Sequence, residues 1–147
     1  MKKVSTAKDM QEIDERTIVH YGIPGLTLME NAGKGVVEAL TRKFSDLSNK
    51  QFLIFCGKGN NGGDGLVIAS LLCKMGIDVK TLLFGRQANL KSDVAIDADS
   101  TFKLGTNFIE VDKRNSHVIE SYLKNCDIVI DALLGTGLTR PVTGLYE

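Results

Sequence analysis

The residues of this chain best equipped for chemistry are concentrated in one short stretch, Gly57 to Gly65, which reads GKGNNGGDG and directly follows an apolar run. Asn60, Asn61 and Asp64 supply two carboxamides and a carboxylate among the glycines. A glycine-rich turn between a strand and a helix offers backbone N–H groups and the positive end of the helix dipole, so an anionic or polar group is expected to sit there. A second glycine-bearing segment, ALLGTGLTRPVTG, follows Asp131 at the end of another apolar run. Open parallel sheets bind ligands outside the carboxyl ends of their strands, where the strand order reverses. With the first and fourth strands side by side at that point, Asn60, Asn61, Asp64 and Asp131 converge on one crevice. Asparagine and loop carbonyls together with carboxylates are hard ligands suited to a hydrated alkali or alkaline-earth cation, whereas zinc prefers His and Cys clusters. Such a cation would offset both the carboxylate and a ligand phosphate.

Each of these residues also has a plainer use. Asp64 can cap the following helix, the glycines can simply make a turn, and Asp131 can cap a turn after its strand. A different ligand reading follows from Gly57, Gly59 and Gly62, which satisfy G-x-G-x-x-G and would suit a dinucleotide dehydrogenase with Arg86 taking a 2′-phosphate. Against it, Asp64 puts a carboxylate where a pyrophosphate would lie, and the second strand lacks the terminal acid that would bind a ribose.

The elements that must position these residues are legible from periodicity. Thr6 with Asp9 forms a capping-box pattern ahead of Met10, Ile13 and Ile18, and Gly22 ends this first helix. After Pro24-Gly25, the residues Leu26, Met29, Gly33, Val36, Leu40 and Phe44 mark one face of a long second helix, with Gly33 permitting close packing. Four apolar runs, 51–56, 79–85, 107–111 and 127–134, read as strands, and helices are expected near 64–75, 92–104 and 115–124. The helix from Leu66 to Met75 is apolar nearly all round and should be buried. Two helices followed by alternating strands and helices predict an α/β fold, a three-layer, Rossmann-like, doubly wound parallel sheet with two leading helices, forming one domain over residues 1–147.

Composition narrows the function classes. Eighteen basic residues balance eighteen acidic ones, so no net field favours nucleic acid or anionic lipid. No apolar run approaches membrane-spanning length and the polar start lacks a signal-peptide core, which points to a cytoplasmic protein without a membrane partner. Cys56, Cys73 and Cys126 have no C-x-x-C spacing and are expected to be reduced and buried. Asp93, Asp97 and Asp99 fall on the wet side of a helix. His20 and His117 sit near helix ends without triad partners, and Glu30 pairs with Lys34 at helical spacing.

Taken together, GNNGGDG at 59–65, MENAG at 29–33 and DALLGTGLTRPVTG at 131–144 resemble the YjeF N-terminal domain family of NAD(P)H-hydrate epimerases. The likeness extends over essentially the whole chain, including the leading helix pair. It implies a metabolite-repair isomerase that interconverts the R and S epimers of hydrated NADH or NADPH at C6 of the nicotinamide ring. Asn60, Asn61, Gly62, Gly63 and Asp64 would then contact the hydrated dinucleotide, and Asn61 with Asp131 would hold a potassium ion. Gly135, Thr136, Gly137, Leu138, Thr139, Arg140 and Pro141 match the family's second substrate loop, with Tyr146 as an aromatic contact after it. The resemblance further implies a functional link to an ATP- or ADP-dependent dehydratase and leaves room for a homodimer. It also reaches non-catalytic relatives, so a nucleotide-binding or scaffold module of the same fold is the alternative reading.

The family pattern continues with a strand bearing an Asp-x-Pro-Ser-Gly element, which by the resemblance supplies the substrate-binding, catalytic aspartate and a potassium-ligating serine and which does not occur before Glu147. The catalytic group is therefore expected beyond the residues given, the sheet is expected to be incomplete on its C-terminal side, and the 147-residue chain is expected to bind nucleotide without turning it over. Ile128, Val129 and Ile130, apolar on both faces, are expected to form an exposed hydrophobic edge.

Overall fold

The structure is a computed structural model that describes residues 4–90, 94, 107–139 and 141–146. Four strands, β1 (Phe52–Cys56), β2 (Val79–Phe84), β3 (Asn107–Val111) and β4 (Ile128–Ala132), form one parallel sheet in the order β3-β2-β1-β4. The direction of winding reverses between β1 and β4, as the doubly wound expectation requires. Register pairs Phe52 with Val79 on one side and with Ile128 on the other.

Helices α1 (Ala7–Val19) and α2 (Gly25–Lys43) precede the sheet. The capping box at Thr6 is formed in both directions, the Asp9 N–H donating to Thr6 Oγ1 at 3.2 Å and the Thr6 N–H to Asp9 Oδ2 at 2.8 Å. Yet α1 buries none of its residues, and Met10, Ile13 and Ile18 remain exposed. The buried face of α2 is Met29, Gly33 and Val37, with Leu40 and Phe44 half-buried, so Val37 replaces the expected Val36. Steps of four carry the contact from Met29 through Gly33 to Val37, which leaves Val36 on the rim.

Helix α3 (Asn60–Lys74) is the central crossover, and with α2 it covers one face of the sheet. There Phe52, Ile54, Cys56, Leu66, Ile68, Leu72 and Val79 form the larger core. Gly33 brings α2 onto α3, since a Cβ at that position would collide with Val67. Leu66 to Ser70 and Leu72 are buried as the all-apolar pattern predicts, although Met75 at the end is exposed. The opposite face carries a smaller core of Leu53, Leu82, Phe84 and Val111, closed by helix α4 (Val118–Leu123) and by Leu145 and Tyr146.

Helix α4 is shorter than the expected 115–124 because the Asn115 carboxamide turns back to the Asp112 N–H and the Glu110 carbonyl, holding residues 113–117 as turns. The helix expected at 92–104, with Asp93, Asp97 and Asp99, lies outside the described residues except for Val94, which is buried in the larger core. Cys56 is buried, but Cys73 and Cys126 are only half-buried, a correction to the three buried thiols expected. Among the described residues, no helix is long and apolar enough to cross a membrane. Val129 of β4 is 45% exposed at the sheet edge, as its all-apolar strand predicts.

Candidate functional site

The glycine stretch is not a loop that ends where a helix begins. Gly59 is the N-cap of α3, with extended backbone (φ −95°, ψ −172°) and no side-chain cap, and Asn60 is already helical. Asn60, Asn61, Gly62, Gly63 and Asp64 therefore make up the first turn and a half of α3, and Asp64 is not its cap. The first intrahelical bond runs from the Gly63 N–H to the Gly59 carbonyl at 3.1 Å. The N–H groups of Asn60, Asn61 and Gly62 thus have no intrahelical acceptor, as at every helix start.

Packing accounts for the glycines. A Cβ on Gly57 would run into the Leu133 carbonyl, one on Gly62 into the Gly57 backbone, one on Gly63 into Met29 and one on Gly65 into Ala132 and Cys56. The start of α3 is therefore pressed directly onto the ends of β1 and β4. Gly62 and Gly63 are buried in that contact, while Asn60, Asn61 and Asp64 face an open crevice.

That crevice, of about 1020 Å³, has three walls. One is Lys58, Gly59, Asn60, Asn61 and Asp64; the second is the segment Leu133 to Leu138 after β4, with Tyr146; the third is Met10, Gln11 and Asp14 of α1. The convergence expected of the two glycine-bearing segments is thus present, and the two are in direct contact: the Asn61 Cβ lies 3.1 Å from where a Cβ of Gly135 would stand. Of the second segment, Gly135, Thr136, Gly137 and Leu138 line the crevice, and Leu138 and Pro141 line a neighbouring cavity of about 390 Å³. Thr139 lines neither, and Arg140 lies outside the described residues.

Asp131 stands one step back from the lining. It is exposed on the face of β4 that continues from Phe55, and its Oδ1 accepts the Leu133 N–H at 3.0 Å. It caps the turn that leads into the second segment. Among the described residues, no three His, Cys, Asp or Glu side chains gather as a metal cluster.

Tyr146 fixes the far end of the second segment. Its hydroxyl donates to the Phe84 carbonyl at 2.9 Å, its ring lies 5.9 Å from that of Phe84, and the Lys58 backbone also bonds the phenol oxygen. Partial burial holds the phenol above the ordinary tyrosine pKa, with the Lys58 bond working in the other direction. Burial likewise pushes the Cys56 thiol far up, so this cysteine at the end of β1 is a packed core residue and no nucleophile.

Three lining residues were not singled out in the sequence: Lys58 among the glycines, and Gln11 and Asp14 of α1. Asp14 adds a second carboxylate, beside Asp64, to the crevice lining. Nothing local in the sequence reveals Gln11 and Asp14, because only the tertiary placement of α1 brings them there. Lys58 had a signal in its position inside the glycine stretch.

The family described as YjeF-related protein N-terminus matches residues 25–147. The chain is 39% identical over 143 residues to the bifunctional NAD(P)H-hydrate repair enzyme Nnr of Moorella thermoacetica, covering 95% of this chain and 27% of that protein. It is 36% identical to the NAD(P)H-hydrate epimerase of Rhodobacter capsulatus, covering 98% of this chain and 67% of the relative. With the NAD(P)H-hydrate epimerase of Rhodopirellula baltica the identity is 39%, over 96% of this chain and 55% of the relative. Among solved structures, the crystal structure of yeast ynu0, YNL200c, matches with a TM-score of 0.83 at 25% identity, over 97% of this chain and 60% of that one.

Proposed function

Because this chain belongs to the family of YjeF-related protein N-termini, we propose that it serves the repair of hydrated NADH and NADPH as an R/S epimerase, with the crevice at the start of α3 holding the substrate. One observation carries the reading: the uncapped first turn of α3 and the segment after β4 close on a single crevice, in a chain 36–39% identical to proteins named NAD(P)H-hydrate epimerase. The first-turn backbone amides of α3 and the helix dipole would take an anionic part of the dinucleotide, and the carboxamides of Asn60 and Asn61 would fix its orientation. Thr136 and the Gly135 and Gly137 backbone would close on it from the facing wall. A dehydrogenase reading has less support, since Arg86 lines neither cavity.

A potassium ion held by Asn61 and Asp131 belongs to the same proposal. The supporting argument is the donor set, a carboxamide in the first turn of α3 and a carboxylate oxygen near the end of β4. Two oxygens are fewer than a hard cation takes, so loop carbonyls and water would complete the shell. A functional link to an NAD(P)H-hydrate dehydratase, which the family resemblance implies, is part of the proposal, and the Moorella relative is named as a bifunctional NAD(P)H-hydrate repair enzyme.

The test mixes the protein with R-enriched hydrated NADH and follows both epimers by chromatography beside a protein-free control, with binding measured by calorimetry in KCl and in NaCl. Faster approach to epimer equilibrium would establish the epimerase. Binding without acceleration is the result expected where the acid/base aspartate lies outside these residues, and absence of binding would overturn the reading. Tighter binding in KCl, lost in Asp131→Asn, is the expected result for the ion; equal affinity in both salts counts against it.

A further inference from the structure

Lys58 occupies an unusual place. It is the one residue of the β1–α3 junction that lines both cavities, together with Leu134, Leu138 and Tyr146 from the second segment. Its surroundings direct it there. Its backbone bonds the Tyr146 oxygen. Its side-chain stem lies across Gly85, just after β2, where a Cβ would stand 2.7 Å from the lysine Cδ. Gly85 also has φ +144°, a backbone conformation that favours glycine, so the bed under the stem is built into the fold. The two cavities differ in character. The larger has the acidic side chains Asp14 and Asp64 on its lining, whereas the smaller is lined by Leu134, Leu138, Pro141, Val142, Thr143 and Tyr146 beside Lys58. Among the described residues, Lys58 is the single basic side chain on either lining and forms no ion pair.

A dinucleotide has two ring-bearing halves joined by a diphosphate. A site that takes it between two carboxylates needs a compensating cation where the diphosphate lies, and an ammonium on a flexible stem suits phosphate oxygens as a point charge. Resting on the nucleotide reading above, we infer that Lys58 is the residue that receives the diphosphate, with the nucleotide laid across both cavities and one nucleoside half in the smaller one. Lys58 is then a positioning residue that sets how tightly the substrate is held, in addition to the amides of the α3 start.

The probes are ADP-ribose, which keeps the diphosphate, and adenosine, which lacks it, measured by calorimetry against the wild-type chain, Lys58→Met and Lys58→Arg. The methionine keeps the stem over Gly85 and removes the charge; circular dichroism and thermal melting confirm that each variant is folded. The expected result is roughly tenfold weaker ADP-ribose binding in Lys58→Met, recovery to within about threefold in Lys58→Arg, and unchanged adenosine binding, as loss of one charge-assisted contact predicts. Raised salt should weaken ADP-ribose binding in the wild type and much less in Lys58→Met. Equal ADP-ribose affinity in wild type and Lys58→Met overturns the inference while leaving the nucleotide reading intact. A parallel loss of adenosine binding overturns it too, since Lys58 would then act only by shaping the cavities. If the wild-type chain binds neither probe, the nucleotide reading itself fails and the inference falls with it.

Discussion

The two long walls of the crevice are built on opposite plans. At the β1–α3 junction, Gly57, Gly62, Gly63 and Gly65 let backbone meet backbone, and Ile54, Cys56 and Leu66 beneath them are fully buried. The α1 wall is a well-capped helix that buries nothing and leaves Met10, Ile13 and Ile18 exposed. Both walls offer polar groups to the same space, Asn60, Asn61 and Asp64 on one side and Gln11 and Asp14 on the other. The contrast teaches that only the junction is fixed by packing, because buried apolar area and close approach set position, whereas a cap alone sets where a helix starts and not where it lies.

The sharpest way to break this contrast is to truncate one apolar residue under each wall. Ile54→Ala should cost about 2–5 kcal/mol by thermal or urea unfolding, as for other fully buried aliphatics. Ile13→Ala, half exposed on α1, should cost under about 0.5 kcal/mol. Comparable losses would mean that α1 is as firmly seated as the junction.

A smaller effect separates glycines by what surrounds them. Gly57→Ala would drive its Cβ into the Leu133 carbonyl, and about 1–3 kcal/mol should be lost as the end of β4 shifts. Gly35 lies in α2 with nothing within 4 Å of a Cβ, so Gly35→Ala should stabilise by about 0.5–1 kcal/mol through helix propensity. Opposite signs are the prediction, and two gains of similar size would show that both glycines act only through the unfolded chain.

The smallest effect concerns the core away from the site. The Thr81 hydroxyl on β2 is completely buried without a hydrogen-bond partner. Thr81→Val replaces it with an isostere that needs none, and should raise stability by about 1 kcal/mol, visible as a rise in Tm of a few degrees. A fall in Tm would show that the hydroxyl is satisfied in solution.

Most of the fold was legible because its strands are short apolar runs closed by glycines or polar turns. β1, β2, β3 and β4 fall within one or two residues of the runs at 51–56, 79–85, 107–111 and 127–134. The start of α3 was not legible, because Asn-Asn-Gly-Gly has the composition of a turn and only contact with β1 and β4 makes a helix of it. For the same reason, the helical role of Gly62 and Gly63 is packing into that contact, which a motif of spaced glycines does not reveal. Val37 over Val36 was a one-residue error in phase along α2. At the site, Asn60, Asn61, Asp64 and the 135–138 segment could be named from sequence since each sits beside a strand end, and strand ends define the crevice. The contribution of α1 could not, as its capping pattern sets where the helix starts and not where it lies.

Hydrogen–deuterium exchange with and without hydrated NADPH tests the central claim, that the junction and the segment after β4 are two walls of one nucleotide site. The account predicts slowed exchange in residues 57–65 and 133–138 together, at the same ligand concentration. Slowed exchange around Arg86 alone, or in one wall without the other, would contradict it.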